Sequence, residues 1–492
     1  MTQLHFSSSL NSALRGAQHV ALFASQAALK GGVWKHVFPA GAQPLVSKLV
    51  EDAEPGALGK VASTYTGGAP RRISVAALPN SLSRHLSPSR AVAIEGACGK
   101  LELDKTEKVT LVLCLDDSAH YTAAANALGR CFPLYHRRSK APTKRAVTVI
   151  AVDAKGKALK APAEVERTVE ATRWAARLVD TPTAELSPAD FVSEVKKALR
   201  GAKGVKVKTI EGKKLLDAKL GGIHGVGRAG PVPPRLLVLE AGPAKAKRTV
   251  AMVGKGVVYD TGGLSIKVGG NMSGMKTDMG GGAAVAGAFL VLVKEKLKDT
   301  RLVALVPLAE NAVGPDSYRN DDVLDMHSGK TVEINNTDAE GRLLLADGVS
   351  YAARVCKADV VIDAATLTGA QLMSTGKRHA AVVSNRGGLE ALAIEAGLAS
   401  GDEVAPLPFA PELYQSEFAS AVADMRNSVK DRMNAQSSCA AQFVYSHIQE
   451  LDLPWLHVDL AGPSMPGKRG SGYGVALLAE VVRSLSPGAL KS

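Results

Sequence analysis

The stretch Asn336-Thr-Asp-Ala-Glu-Gly-Arg-Leu343 constrains the fold more than any other part of this 492-residue chain. Asp338 and Glu340 stand two apart, Arg342 follows two later, and the helix-forming run Leu343-Leu-Leu-Ala-Asp-Gly-Val-Ser-Tyr-Ala352 comes next. This order predicts a loop that delivers two carboxylates to the N-terminus of a helix, where exposed N–H groups favour ionised acids. Two fixed carboxylates beside a guanidinium suit a hard-cation site with an anion pocket next to it. The plainer alternative is a helix cap, with Thr337 or Asp338 capping and Glu340 near the third position.

A second acidic cluster precedes the first. Thr249-Val-Ala-Met-Val-Gly254 reads as a short buried strand running into Lys255-Gly-Val-Val-Tyr-Asp260-Thr-Gly-Gly-Leu-Ser-Ile-Lys267. Asp278 then stands at the start of a Gly/Ala-rich helix whose small residues require close packing. Ligands of open α/β sheets bind beyond the carboxyl ends of the strands, and both clusters follow strand-like runs. Asp260, Asp278, Asp338 and Glu340 would then share one cleft. That many carboxylates together require cations, and two divalent metals are the simple resolution.

GKGVVYDTGGLSIK, GMKTDMGGGAA and NTDAEGRL, in this order, resemble the M17 leucyl (cytosol) aminopeptidase family. The resemblance runs over roughly residues 165–492 and includes Asp363-Ala-Ala-Thr-Leu-Thr-Gly369 and His457-Val-Asp-Leu-Ala-Gly462. HRRSKAPTKRAVTV, GLSIKVGGNMSGMK and SEFASAVADMRNSVKDRMNAQSSCA are similar to its aminopeptidase-like 1 branch. The resemblance implies that Lys255, Asp260, Asp278 and Glu340 bind one metal and Asp260, Asp338 and Glu340 the other. It implies that Lys267 polarises the scissile carbonyl and that Arg342 holds a bicarbonate acting as general base. Substrate contacts are implied at Met275, Asn336, Thr366, Leu367, Gly369 and Ala461.

The implied activity is two-metal exopeptidase cleavage of leucine-like N-terminal residues from short peptides with a free N-terminus, through a metal-bridging water. Zinc and manganese are the implied metals, with cobalt or magnesium as further options, because carboxylate-rich shells discriminate weakly among them. The implied assembly is a homo-hexamer, a dimer of trimers. Chemistry independently supports one unusual role: a lysine ligates only when neutral, and two adjacent dications would lower the pKa of Lys255. The chain departs from the family pattern at residues 427–439, where Asn-Ser-Val-Lys-Asp-Arg-Met-Asn-Ala-Gln-Ser-Ser-Cys replaces a Gly/Pro-rich loop, and at Thr261, where serine is commoner.

Competing motifs fail. Gly225-Val-Gly-Arg-Ala-Gly230 fits a dinucleotide fingerprint, but Pro231-Val-Pro-Pro234 follows where a helix with free N–H donors is needed. The 11 histidines are scattered without metal-ligand spacing, and His327 reads as a hydrogen-bonding loop residue. The five cysteines are odd in number and dispersed, as free thiols of a reducing compartment are. The net charge is +13, yet aromatics make up only 4% and no basic-aromatic run occurs, which argues against nucleic acid. A non-catalytic scaffold is a further alternative, opposed by the complete set of candidate ligands.

With 46% apolar residues the chain can bury a large core and form two domains or more. The longest wholly apolar run, Ala283 to Val293, is 11 residues, too short to span a bilayer. The N-terminus is Ser-rich and lacks acid before Glu51, but His19-Val-Ala-Leu-Phe-Ala-Ser25 reads as a first strand, so a cytoplasmic protein is expected.

The expected fold is α/β. Residues 1–163 should form a smaller, variable α/β domain, and residues 164–492 an α/β/α metallopeptidase domain with a central, largely parallel sheet. Strands are expected at His19–Ser25, Val109–Leu115, Ala146–Val152, Leu236–Leu239, Val250–Val253, Leu302–Val306, Val360–Asp363 and Leu456–Val458, with a linker at 155–163. Val165, Val169, Thr172, Ala176 and Val179 have helical spacing, and Ser187-Pro-Ala-Asp190 has the signature of a helix start.

Overall fold

The computed structural model describes residues 2–490 apart from 57, 104–106, 141, 244 and 296. Strands and helices are interspersed along the chain. It divides into two compact units, Met1–Arg173 with Gly397–Glu403, and Trp174–Ala396 with Val404–Ser492.

The first unit is built on a seven-stranded sheet of β1 (Gln3–Phe6), β2 (His19–Ser25), β3 (Lys60–Tyr65), β4 (Arg72–Leu78), β5 (Lys108–Cys114), β6 (Ala146–Val152) and β7 (Ala158–Leu159). The order is β1-β6-β5-β2-β4-β3, with β7 on β6. Every pair is parallel except β3 on β4 and β7 on β6. β2, β4 and β5 are near-continuous apolar runs, buried almost throughout, as a sheet covered on both faces requires. The expected linker at 155–163 is not one. Asp153 Oδ1 accepts from Lys155 N and Lys157 N, closing a tight turn that folds Ala158–Leu159 back onto β6.

The second unit contains a nine-stranded sheet of β8 (Lys206–Glu211), β9 (Arg235–Ala241), β10 (Arg248–Gly254), β11 (Gly256–Asp260), β12 (Thr300–Asn311), β15 (Val360–Ala365), β16 (Ala380–Ser384), β17 (Val404–Pro406) and β19 (Trp455–Asp459). A small sheet holds β13 (Val323–Asp325), β14 (Thr331–Glu333) and β18 (Met425–Arg426). The large sheet runs β17-β16-β19-β15-β10-β12-β9-β8, with β11 paired to the end of β12. Its centre, β12, β10, β15 and β19, is parallel. β9 and β16 enter antiparallel, a reversal no periodicity announces.

Helices cover both faces of this sheet. On one face, the helix Gly221–Gly227 packs on β12 and the helix Gly341–Arg354 on β10, β12 and β15, with Gln436–Ser446 against Gly341–Arg354, β16 and β19. On the other, the helix Gly280–Leu292 packs against β10, β12 and β15, with Val475–Ser484 beside it. That helix lies so near the sheet that a Cβ on Gly281 would stand 2.0 Å from the Ala364 carbonyl oxygen. The expected start at Ser187 is a complete capping box with Pro188 and Asp190. The first half of the Gly225–Gly230 stretch ends the helix Gly221–Gly227, which follows another short helix and not a strand. No helix is long and apolar enough to cross a membrane among the described residues. The chain is thus α/β throughout, with mixed, mostly parallel sheets.

Candidate metal centre

The carboxyl ends of β10, β11, β12, β15 and β19 open on one edge, where an open parallel sheet places its ligands. Lys255 directly follows β10, and Asp260 is the last residue of β11. Asp278 lies between the turn Met275–Thr277 and the helix Gly280–Leu292, and Asp338 and Glu340 lie on the loop before the helix Gly341–Arg354. One oxygen each from Asp260, Asp278 and Glu340 lie within 4.8 Å of one another, and all three residues are buried. Asp338 stands outside this trio, with a third of its side chain exposed.

Two lysines tie the acids together, each bridging a pair. Lys255 Nζ is 2.8 Å from Asp278 Oδ2 and 2.7 Å from Glu340 Oε1, and it donates to the Thr366 carbonyl at 3.0 Å. Lys267 Nζ is 2.8 Å from Asp260 Oδ2 and bonds Asp338 Oδ1. Asp278 Oδ2 is held by the Lys255 ammonium alone among the described residues. Its Oδ1 accepts from Thr366 Oγ1 at 2.9 Å.

The electrostatics follow from crowding acids where water is scarce. Burial, then the charge of Glu340, pushes the Asp260 carboxyl up to about 6 against the pull of both lysines. Burial raises Asp278 well above the carboxylate range, and burial with Glu340 raises Asp338. Burial would raise Glu340 too, but Lys255 and Lys267 outweigh it and hold that carboxyl low. Burial opposes charge on both lysines, yet the surrounding acids overcome it and raise both amines.

The cap alternative is overturned. Glu340 occupies the cap position of the helix Gly341–Arg354 without a side-chain capping bond. Thr337 Oγ1 instead donates to the Gly262 carbonyl at 2.6 Å and accepts from Ser265 N at 2.7 Å, stitching the two acidic loops together. A Cβ on Gly341 would lie 2.5 Å from Lys255 Cε, so only glycine leaves this lysine its place.

Several supporting residues escaped the sequence reading. Buried Asn311, at the end of β12, donates from Nδ2 to Asp260 Oδ1 at 2.8 Å and to the Thr337 carbonyl at 3.0 Å. Its one signal is a polar residue closing a long apolar strand. Asn427 binds the backbone of Asn335, Asn336 and Ala339. Asp459 Oδ1 accepts from Leu367 N and Ala461 N at 3.1 and 3.2 Å, while Oδ2 takes Thr368 Oγ1 at 2.6 Å.

The remaining expected residues are placed as follows. Thr366 bonds Asp278, and the N–H groups of Leu367 and Ala461 both donate to Asp459. Met275 opens the turn before Asp278, and Gly369 begins the helix Gly369–Ser374. Asn336 turns its Oδ1 inward to accept from Asp338 N at 2.9 Å. Arg342 is buried, lies over the Phe443 ring at 6.0 Å, and donates from Nη1 to the Asn427 carbonyl at 2.9 Å. Its Nε has no acceptor, and no carboxylate reaches it within ion-pair distance among the described residues. Burial lowers the guanidinium to about 10, with Glu340 opposing. His327 is, as expected, a hydrogen-bonding loop residue, with Nδ1 2.8 Å from Ser350 Oγ.

Clustered buried carboxylate oxygens fit hard divalent cations. Known proteins carry the same arrangement of chain. Residues 173–479 match the model of the cytosol aminopeptidase family, catalytic domain. The probable aminopeptidase NPEPL1 of Mus musculus is 45% identical over 458 residues, covering 90% of this chain and 86% of its own. The apo leucyl aminopeptidase of Trypanosoma cruzi superposes with a TM-score of 0.90 at 34% identity, over 98% of this chain and 97% of that one. The bottromycin maturation enzyme BotP, solved in complex with Mn, superposes with a TM-score of 0.77 at 28% identity, over 95% and 99% of the two chains. A match of this length, over both the peptidase segment and nearly the whole fold, means that the chain belongs to the M17 cytosol aminopeptidase family of metal-dependent exopeptidases.

Proposed function

We propose that the chain removes leucine-like residues from the free N-termini of short peptides, with the chemistry in residues 164–492 and residues 1–163 as an accessory α/β domain. The observation that carries this reading is the buried trio Asp260, Asp278 and Glu340 with Lys255 and Lys267 set between acids. Lys255, Asp260, Asp278 and Glu340 would hold one divalent ion, and Asp260, Asp338 and Glu340 the other, with zinc or manganese first and cobalt or magnesium as alternatives. When bound, such a pair supplies Lewis acidity and an ionised water near neutral pH.

The chain's own groups do the rest. Lys267 keeps its charge between Asp260 and Asp338 and is 15% exposed, so its ammonium can donate to the scissile carbonyl oxygen as negative charge builds there. The free α-amine is drawn to the acid cluster, which limits cleavage to the N-terminus. Arg342 would hold a bicarbonate as general base, since its buried guanidinium lacks a competing acid. Met275, Thr366, Leu367, Gly369 and Ala461 would frame the first substrate side chain, with Asn336 shaping the loop beside it. Asp459 stiffens this wall through its bonds to Leu367, Thr368 and Ala461. The reading includes a cytoplasmic homo-hexamer, a dimer of trimers.

The test is a panel of aminoacyl-fluorophores offered to stripped protein after each metal is restored singly, with metal content measured in parallel. Leucyl turnover that returns with two bound ions supports the reading. Two bound ions with no turnover of any substrate would leave a metal-binding protein and remove the peptidase.

A further inference from the structure

Asn311 is fully buried at the last position of β12, and its side chain joins the two acidic loops. β11 and β12 run parallel, and a register shift between Val257 and Tyr259 sets Asp260 beside Asn311. Such irregularities re-aim side chains next to functional sites. Asn311 Nδ2 donates to Asp260 Oδ1 at 2.8 Å on one loop and to the Thr337 carbonyl at 3.0 Å on the other. The Gly262 N–H donates to the same Asp260 oxygen at 2.9 Å. A carboxylate oxygen has about two acceptor positions, so Oδ1 is filled. Asp260 therefore keeps for a cation its Oδ2, the oxygen 2.8 Å from Lys267 Nζ. Buried Tyr318 also donates to the Thr337 carbonyl, at 2.6 Å.

The Asn311 Oδ1 has no hydrogen-bond partner among the described residues. Turning the amide would not help, because both partners of Nδ2 can only accept. Gly263, at φ +61°, leaves room for this oxygen: a Cβ there would stand 3.0 Å from Asn311 Oδ1 and 2.9 Å from Thr337 Oγ1. A buried oxygen left unpaired so that the nitrogen can hold two loops calls for a reason beyond the fold. We propose that Asn311 is a positioning residue that sets the spacing between Asp260 and the loop of Asp338 and Glu340, and so shapes the metal site shared by those three acids. The inference rests on the ligand roles proposed above. Asp338 directly follows Thr337, so Asn311 holds one ligand of that site by its carboxylate and a second through the preceding carbonyl. The other proposed site keeps Lys255 and Asp278, which are tied to Thr366 instead.

Mn2+ uptake by the metal-stripped full chain tests this, with free Mn2+ followed by electron paramagnetic resonance. The native chain should bind two ions. Asn311→Leu, which keeps the volume and removes the donors, should weaken one ion about 10–100-fold, the usual effect of losing a group behind a ligand. The other ion should stay, and the exchange-coupled signal of a neighbouring pair should vanish at Mn2+ levels that saturate the native chain. Tyr318→Phe deletes one oxygen from the same Thr337 contact and should weaken the same ion by less. It carries the test if Asn311→Leu fails to fold by circular dichroism. Unchanged uptake by every variant that folds, or an equal loss of both ions, would overturn the positioning role and leave the metal centre standing. A native chain that binds no pair of ions would instead overturn the reading above, and this proposal with it.

Discussion

Asn427 grips Asn336 with both ends of its amide: Oδ1 accepts from the Asn336 N–H at 3.2 Å, and Nδ2 donates to the Asn336 carbonyl at 2.7 Å. The same side chain takes Asn335 N at 2.9 Å and reaches the Ala339 carbonyl at 3.3 Å, while its own carbonyl receives Arg342 Nη1 at 2.9 Å. One fully buried residue, 91 positions away in sequence, thus sets the curve of the loop that carries Asp338 and Glu340.

Asn427→Ala should therefore damage a site it does not touch. Leaving these backbone groups unpaired should cost about 1–3 kcal/mol of stability. A displacement of the acids by about 1 Å should lower turnover roughly a hundredfold. Denaturant midpoints and leucyl-fluorophore kinetics check both numbers. Full activity in a destabilised variant would show that the loop holds its shape without the clamp.

Asp260→Ala and Glu340→Ala should abolish turnover and reduce bound metal, because each removes an oxygen donor shared by both proposed ions. Asp278→Ala or Asp338→Ala should mainly weaken one of them. Elemental analysis decides the matter, and a full complement of metal in Glu340→Ala would contradict the ligand assignment.

Lys267→Ala should retain metal and lose turnover by orders of magnitude, since a partner for the developing oxyanion acts mainly in the transition state. Arg342→Ala should lose less, and added bicarbonate should no longer stimulate it. Equal stimulation of the native chain and the variant would take the anion-holding role from Arg342.

Acid should destabilise the second unit through two histidines, the buried His447 and the half-buried His327. Burial, then Lys330 and Arg354, lowers His447 to about 3, and burial, then Arg354 and Lys219, lowers His327 to about 4. Both folded values lie below the ordinary value of about 6.5, so the unfolded chain binds these protons first. The stability they confer is complete above about pH 6.5 and is lost as pH falls towards 4 and 3, by up to about 1.4 kcal/mol per pH unit per proton. Asp347, raised by burial to about 7, has the opposite sign and destabilises the fold as pH rises from about 4 to 7. His447→Gln should lose less stability than the native chain between pH 7 and 5, as read from urea midpoints, and parallel curves would exclude His447 as a source of the slope.

If the proposed hexamer forms, light scattering at assay concentration should give a particle of about six chains, a closed symmetric assembly. An active monomer would remove the hexamer and leave the metal chemistry untouched.

The acids were legible in the sequence because each stands beside a strong local signal. Asp260 ends an apolar strand, Asp278 opens a Gly/Ala helix, and Glu340 precedes a helical run. The central strands were legible for the same reason, as uninterrupted apolar stretches. Asn311, Asn427 and Asp459 were not, because they act through partners dozens of residues away and look locally like any polar residue. The antiparallel entry of β9 and β16 was hidden because strand direction depends on the path of the connections, which composition does not record. Thr337 fits a cap by position, the plainer alternative, but its hydroxyl has a better partner in the Gly262 carbonyl.

Gly341 has no functional group, yet its missing side chain is what leaves Lys255 space between Asp278 and Glu340. Alanine there would normally favour a helix by up to about 1 kcal/mol. Here the added methyl would press on a side chain locked by two ion pairs. A deep mutational scan should therefore score this glycine as intolerant as the acids beside it, and a library built to retune specificity through this loop should keep it invariant.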